Sequence, residues 1–156
     1  MLTRVKTIRL LFIGIMIFVC GSMYGQHKEF GLGIIVGSPT GISAKYWFED
    51  SKALDFGLGY SFSGNNSNFN FHADYLWHEF DAFNSTEHLL LHYGVGVRIK
   101  TVTDGKDSFG ARGVVGIAWF PLHTPIEMFI EVAPVFKLIP ETTLDLDGGV
   151  GVRFYF

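Results

Sequence analysis

Six histidines and a scatter of charged residues at alternate positions are the side chains of this chain best equipped for chemistry. His72 and Asp74 lie two apart, His88 and His92 four apart, and His78 falls between the pairs. Imidazole beside carboxylate can hold a metal ion or move a proton. Residues two or four apart share one face of an extended strand, so two neighbouring strands could bring these pairs together. No compact ligand motif accompanies them, however, and ionisable groups packed inside a fold commonly belong to structural ion-pair networks. The structural reading is preferred, and no catalytic residue, metal ligand or cofactor-binding residue is assigned. Gly31-x-Gly33-x-x-x-Gly37 has the look of a dinucleotide loop, but Pro39 follows it and no helical pattern does, so it is set aside.

The elements that must position these residues are read from the apolar period, which is two rather than 3.6 and recurs along the chain. It predicts strands over Phe30 to Ser38, Ile42 to Phe48, Ala53 to Phe62, Phe69 to His78, His88 to Lys100, Phe109 to Phe120, Ile126 to Leu138 and Leu144 to Phe156. Turn-rich segments separate them: Ser38 to Gly41, Glu49 to Lys52, Ser63 to Asn68, Glu79 to Glu87, Thr101 to Ser108, Pro121 to Pro125 and Pro140 to Thr143. Strands joined by short connections form an antiparallel meander, and closing it removes both exposed edges. The predicted fold is all-β, an eight-stranded antiparallel up-and-down transmembrane β-barrel. Pro134 is the misfit, because a strand interior needs the N–H that proline lacks. A bulge or irregularity is expected there.

Which face meets which solvent follows from the residues opposite the apolar ones. They are glycines and isolated charges of both signs, a poor surface for water but a suitable filling for a narrow barrel. The apolar face is therefore expected to meet lipid. Lys45, Asp55, Asp74, Arg98, Arg112, Glu127, Glu131, Asp145, Asp147 and Arg153 would point inward as a charge network. They are expected to pair and plug the lumen rather than line a channel. The aromatics sort in the same sense. Tyr46, Phe48, Tyr75, Trp77, Trp119, Phe154 and Phe156 lie on the apolar face at strand ends that share one rim, and Tyr60, Phe62, Phe69, Phe109 and Phe136 at the other. Such girdles mark the two membrane interfaces.

The ends complete the pattern. Arg4, Lys6 and Arg9 precede the apolar run Leu10 to Cys20, followed by the small residues Gly21, Ser22 and Gly25. This reads as a secretory signal peptide over residues 1–25, with residues 26–156 as one mature barrel domain. A cut after Gly21 or Ser22 is nearly as good as one after Gly25. Cys20 lacks the small preceding residue of a lipidation signal and leaves with the leader, so the mature chain has no cysteine. The leader holds three of the 12 basic residues and none of the 15 acidic ones, so its removal takes the formal charge from −3 to −6. That balance argues against nucleic acid as a partner. At the other end, Val152, Phe154, Tyr155 and Phe156 form an amphipathic, aromatic terminus of the kind that outer-membrane insertion machinery reads.

The segments GSPTGISAKYWF (Gly37 to Phe48), HADYLWHEFDAF (His72 to Phe83), EVAPVF (Glu131 to Phe136) and LDGGVGVRFYF (Leu146 to Phe156) resemble a family of small bacterial outer-membrane barrels of the OmpA/OmpX-like group. The likeness spans nearly the whole mature chain. It implies the same fold and location, and it carries over no activity.

The expectation is a monomeric integral outer-membrane barrel with both termini periplasmic and a structural or envelope-integrity role. Its partners would be membrane lipid, lipopolysaccharide and the assembly machinery, with no cofactor and no enzymatic activity. Two rivals stand beside it: a lipid-A-modifying barrel enzyme using His72, His78 or His92, and a narrow channel.

Overall fold

A computed structural model describes residues 29–63, 66–83, 88–102 and 105–156, with the main chain alone at 61–63, 66 and 67. The signal-peptide reading lies outside these residues. Eight strands follow one another: β1 (Phe30–Ser38), β2 (Gly41–Glu49), β3 (Lys52–Ser63), β4 (Asn66–Glu79), β5 (His88–Val102), β6 (Ser108–Phe120), β7 (Ile126–Ile139) and β8 (Thr143–Tyr155). Each pairs with its sequence neighbours, and β1 pairs antiparallel with β8 from Gly31–Tyr155 to Ser38–Gly148. The result is a closed up-and-down barrel with no free sheet edge. It is the fold that both the alternation and the family resemblance imply.

The barrel is inverted relative to a soluble one. Along β5, Tyr93, Val95, Val97 and Ile99 are exposed, while His92 and Arg98 are buried. Along β7, Met128, Ile130, Val132 and Phe136 face out, and Glu127, Phe129, Glu131 and Val135 face in. Every strand repeats this partition. An apolar exterior around a polar interior is the arrangement of a barrel that stands in lipid.

The rim that holds Phe30 and Phe156 also carries the aromatic girdle. Phe48 touches Tyr75 (ring centroids 5.4 Å apart), Tyr75 touches Trp77 (4.8 Å), and Trp77 stacks on Tyr93 (6.0 Å). Phe154 and Phe156 meet edge to face at 5.2 Å. The first three contacts join β2, β4 and β5, and the last forms a separate aromatic pair at the end of β8. At the far rim Tyr60, Phe69, Phe109 and Phe136 are exposed.

One expectation changes and another is met in part. The polar stretch read as a turn from Ser63 to Asn68 is mostly strand, because Asn66, Ser67 and Asn68 continue the ladder against Ser63, Phe62 and Ser61. Main-chain hydrogen bonds extend a hairpin without any apolar side chain, so a hydropathy pattern ends before the strand does. At Pro134 the expected irregularity is present as a lapse in the ladder, but there is no bulge. The β6–β7 ladder lapses between Arg112–Val135 and Val115–Val132 but resumes in the same register, and the register shift falls instead at Phe109/Gly110. Pro134 points outward and pairs with Leu146 on its other side. Beside it Gly113 presents no side chain, and even a Cβ there would stand 3.8 Å from Pro134 Cγ. The ring fits without moving the strand.

Candidate functional site

The lumen is where the polar residues converge, and its contents are set by register. Most large inward side chains stand directly opposite a glycine: His72 faces Gly57, His92 faces Gly116, Tyr155 faces Gly31 and Phe129 faces Gly151. A Cβ at any of these glycines would collide with the ring opposite. An eight-stranded barrel leaves little interior room, and pairing a bulky residue with none across the ladder is how this one fits its arginines and rings.

At the terminal rim the lumen has an aromatic floor. Trp47 Nε1 donates to Tyr155 Oη (3.1 Å), Tyr155 Oη donates to Glu127 Oε2 (2.5 Å), and the Phe120 ring packs 5.9 Å from that of Tyr155. Above it Lys45 Nζ pairs with Glu127 Oε1 at 2.5 Å, with both side chains fully buried. Lys45 also lies 3.4 Å from His78 Nε2, and the opposite ring nitrogen of His78 lies 3.3 Å from the Ser51 carbonyl. Lysine can only donate, so Nε2 accepts and Nδ1 carries the hydrogen toward Ser51.

Arg153 is the next hub. Its guanidinium donates to Ser43 Oγ (2.8 Å), pairs with Asp55 Oδ1 (2.6 Å) and Glu127 Oε1 (3.3 Å), and lies 3.8 Å from the centre of the Phe129 ring. Arg112 repeats the design halfway along the barrel, with Asp74 at 2.8 Å, Glu131 at 2.6 Å and Asp147 at 3.5 Å. Arg98 joins Asp147 (2.7 Å) to Asp145 (2.9 Å), which Lys137 also reaches at 2.9 Å. Ser38 Oγ closes the far end with a bond to Asp147 Oδ1 at 3.1 Å. Planar guanidinium forks suit this bridging of several carboxylates.

All ten charges named from sequence therefore sit in the lumen with an oppositely charged partner, in two networks, one around Arg153 and one around Arg112 and Arg98, that between them touch every strand. Nine are buried, while the Asp145 side chain remains 37% exposed near the far mouth. The lumen network read from sequence leaves out Ser38, Ser43, Trp47, Lys137 and Tyr155, the last of which is named only for the terminal assembly segment. All but Ser38 occupy the same inward set as the charges, so the alternation itself could have found those four. Their contacts could not be found, because they cross the lumen between strands far apart in sequence.

The histidines are placed differently from the sequence expectation. His78 pairs with His92 across β4–β5, rings 5.8 Å apart, but His72 faces Arg98 and His88 faces Phe120. His88 is exposed at the rim because its strand begins there. The two pairs do not form one cluster. His72 instead approaches Asp55 and Asp74, its Nε2 lying 4.0 Å from Oδ2 of each.

Among the terminal residues, Phe154 is exposed and Tyr155 is buried. Phe156 donates its backbone N–H to the Phe30 carbonyl at 2.9 Å.

No protein-family model and no curated protein matches the sequence. Among solved structures the chain is similar to Neisserial surface protein A (NspA), at 16% identity and a TM-score of 0.49, over 81% of this chain and 93% of that one.

Proposed function

We propose that the chain is an integral outer-membrane barrel with a filled lumen and a structural, envelope-integrity role. The observation that carries this reading is the inversion of the barrel. Residues such as Ile34, Val95 and Ile130, each more than half exposed, ring the outside, while Lys45, Arg112, Glu127 and Arg153 are sealed within. Water would reject that exterior and lipid accepts it. The girdle at the terminal rim fits a headgroup interface, and we place both termini on the periplasmic side, where the assembly machinery would meet the aromatic end of β8. Lipid and lipopolysaccharide are then the partners of the outer face, and the assembly machinery that of Val152, Phe154, Tyr155 and Phe156. Closed ladders leave no strand edge for oligomerisation, which supports a monomer.

The side chains inside favour a plug over a channel. Arg112, Arg153 and Lys45 fill the lumen in ion pairs that a conducting path would have to break, and the buried His72 and His92 rings occupy further space between them. They also disfavour the lipid-A enzyme, since His72, His78 and His92 are at most 3% exposed and face away from the lipid side. Fractionation tests the proposal. The protein is expected in the outer-membrane fraction with heat-modifiable migration on a gel, with no conductance in planar bilayers and an unchanged lipid A profile on deletion. Recovery from the soluble periplasm would overturn it.

A further inference from the structure

We propose that Asp55, His72 and Asp74 form a binding site inside the lumen for one divalent first-row metal ion of the zinc class. Asp55 on β3 and Asp74 on β4 are direct cross-strand partners, a register in which like charges repel. His72 precedes Asp74 by two residues and shares its face, its ring held over Gly57. One ligand atom from each residue lies within 4.8 Å of the other two. The two His72 Nε2 to Oδ2 separations of 4.0 Å are too long for hydrogen bonds. A point equidistant from three atoms so spaced is about 2.4 Å from each, a few tenths of an ångström beyond zinc-ligand distances. Imidazole with two carboxylates is a donor set that zinc and its neighbours accept and that calcium and magnesium do not favour.

Charge points to the same place. The buried carboxylates are Asp55, Asp74, Glu127, Glu131 and Asp147, against the buried cations Lys45, Arg98, Arg112 and Arg153. One negative charge is in excess, and Lys137 and Asp145 at the mouth cancel each other. Asp55 must share Arg153 with Glu127, and Asp74 must share Arg112 with Glu131 and Asp147. Glu127 also has Lys45, so that group is balanced, and the missing positive charge falls on the Asp74 side of the triad. Three buried atoms of the triad, Asp55 Oδ1, His72 Nδ1 and Asp74 Oδ1, have no hydrogen-bond partner, Asp55 Oδ1 meeting Arg153 as an ion pair alone, and no other group of neighbouring residues gathers as many, although Asn70 Oδ1 and His92 Nδ1 also lack one. A divalent ion on Asp55, His72 and Asp74, carrying one hydroxide in the position that three protein ligands leave open, balances the single excess negative charge and ties β3 to β4 in the barrel interior. A lumen closed by side chains requires that the ion enter as the barrel folds.

The test is metal content. The full-length barrel, extracted in detergent, is unfolded with chelator and refolded with or without zinc, then washed and assayed by mass spectrometry and heat-modifiability. One zinc per chain and a higher transition temperature in the zinc-refolded sample are expected, and refolding with cobalt should give visible absorption bands of nitrogen and oxygen ligation. His72→Gln should lower retention about tenfold or more. Exposed His88 and His123 could hold adventitious zinc, so retention unchanged in His72→Gln overturns the site. Should that variant fail to refold, Asp55→Asn supplies the same comparison. No retained zinc in the wild-type barrel, with equal transition temperatures, also overturns it and leaves a proton on the triad as the neutralising charge.

Discussion

Tyr155, the penultimate residue, donates its hydroxyl hydrogen to Glu127 Oε2 inside the barrel at 2.5 Å. The terminal strand thereby has two separable tasks, since Phe154 faces outward while Tyr155 anchors the lumen floor. Tyr155→Phe keeps the ring but removes a donor from a buried carboxylate and the acceptor of Trp47 Nε1. A loss of about 1–3 kcal/mol is expected, read from urea unfolding in lipid vesicles, with outer-membrane assembly unimpaired because the aromatic ring of the terminal segment is kept. A variant as stable as wild type would show that the floor contributes nothing.

Deleting Phe156 should do the reverse. The residue makes a backbone hydrogen bond to Phe30 and contributes an aromatic end to the girdle, but no charge of the lumen depends on it. Pulse-labelled cells are expected to show slowed insertion, with the purified, refolded barrel unfolding near the wild-type midpoint. Undiminished insertion would remove the assembly role while leaving strand closure intact.

Arg112 joins Asp74, Glu131 and Asp147 from β4, β7 and β8. Arg112→Leu strands these carboxylates without their shared partner, which costs about 3–5 kcal/mol for a buried pair. Adding Glu131→Leu should restore part of that loss, because removing both members of a buried pair is far less costly than removing one. Equilibrium unfolding of the single and double variants decides it. A double variant weaker than the single would mean that Glu131 has another essential partner.

Fold and lumen differ in how far the sequence discloses them. Alternation places Lys45 and Glu127 on inward faces because the period of two is local, and the strand limits follow within about three residues. The contact between those two residues spans β2 and β7 and depends on barrel closure, shear and register, which no single strand encodes. The facing of His72 by Gly57, and of His78 by His92, is lost for the same reason. A register one step different would have put His92 opposite another residue and left the predicted histidine pairs just as plausible on sequence.

Depth along the outer face gives a further expectation. Val95 is 59% exposed at the middle of β5, whereas Leu144 is 73% exposed at the far end of β8. A barrel centred in the bilayer places Val95 near the midplane. Val95→Arg is expected to cost about 2–4 kcal/mol and Leu144→Arg about 0–1, measured by unfolding from lipid vesicles. Equal costs at both sites would contradict the proposed membrane position.

Glycines test the packing rule of the lumen against ordinary strand propensity. A side chain at Gly57 would enter the His72 ring, while one at Gly113 would meet only Pro134 Cγ at 3.8 Å. Replacement by alanine generally restricts the unfolded chain and stabilises by about 0.4–1 kcal/mol where the site accepts it. Gly113→Ala should therefore be neutral or slightly stabilising. Gly57→Ala must push the imidazole off its seat between Asp55 and Asp74, a movement that the crowded lumen resists. Reduced stability and poor recovery of the heat-modifiable form are expected for Gly57→Ala alone. If both substitutions were tolerated equally, the opposition of bulky residue and glycine across the ladder would be a coincidence of composition rather than the condition for closing this barrel.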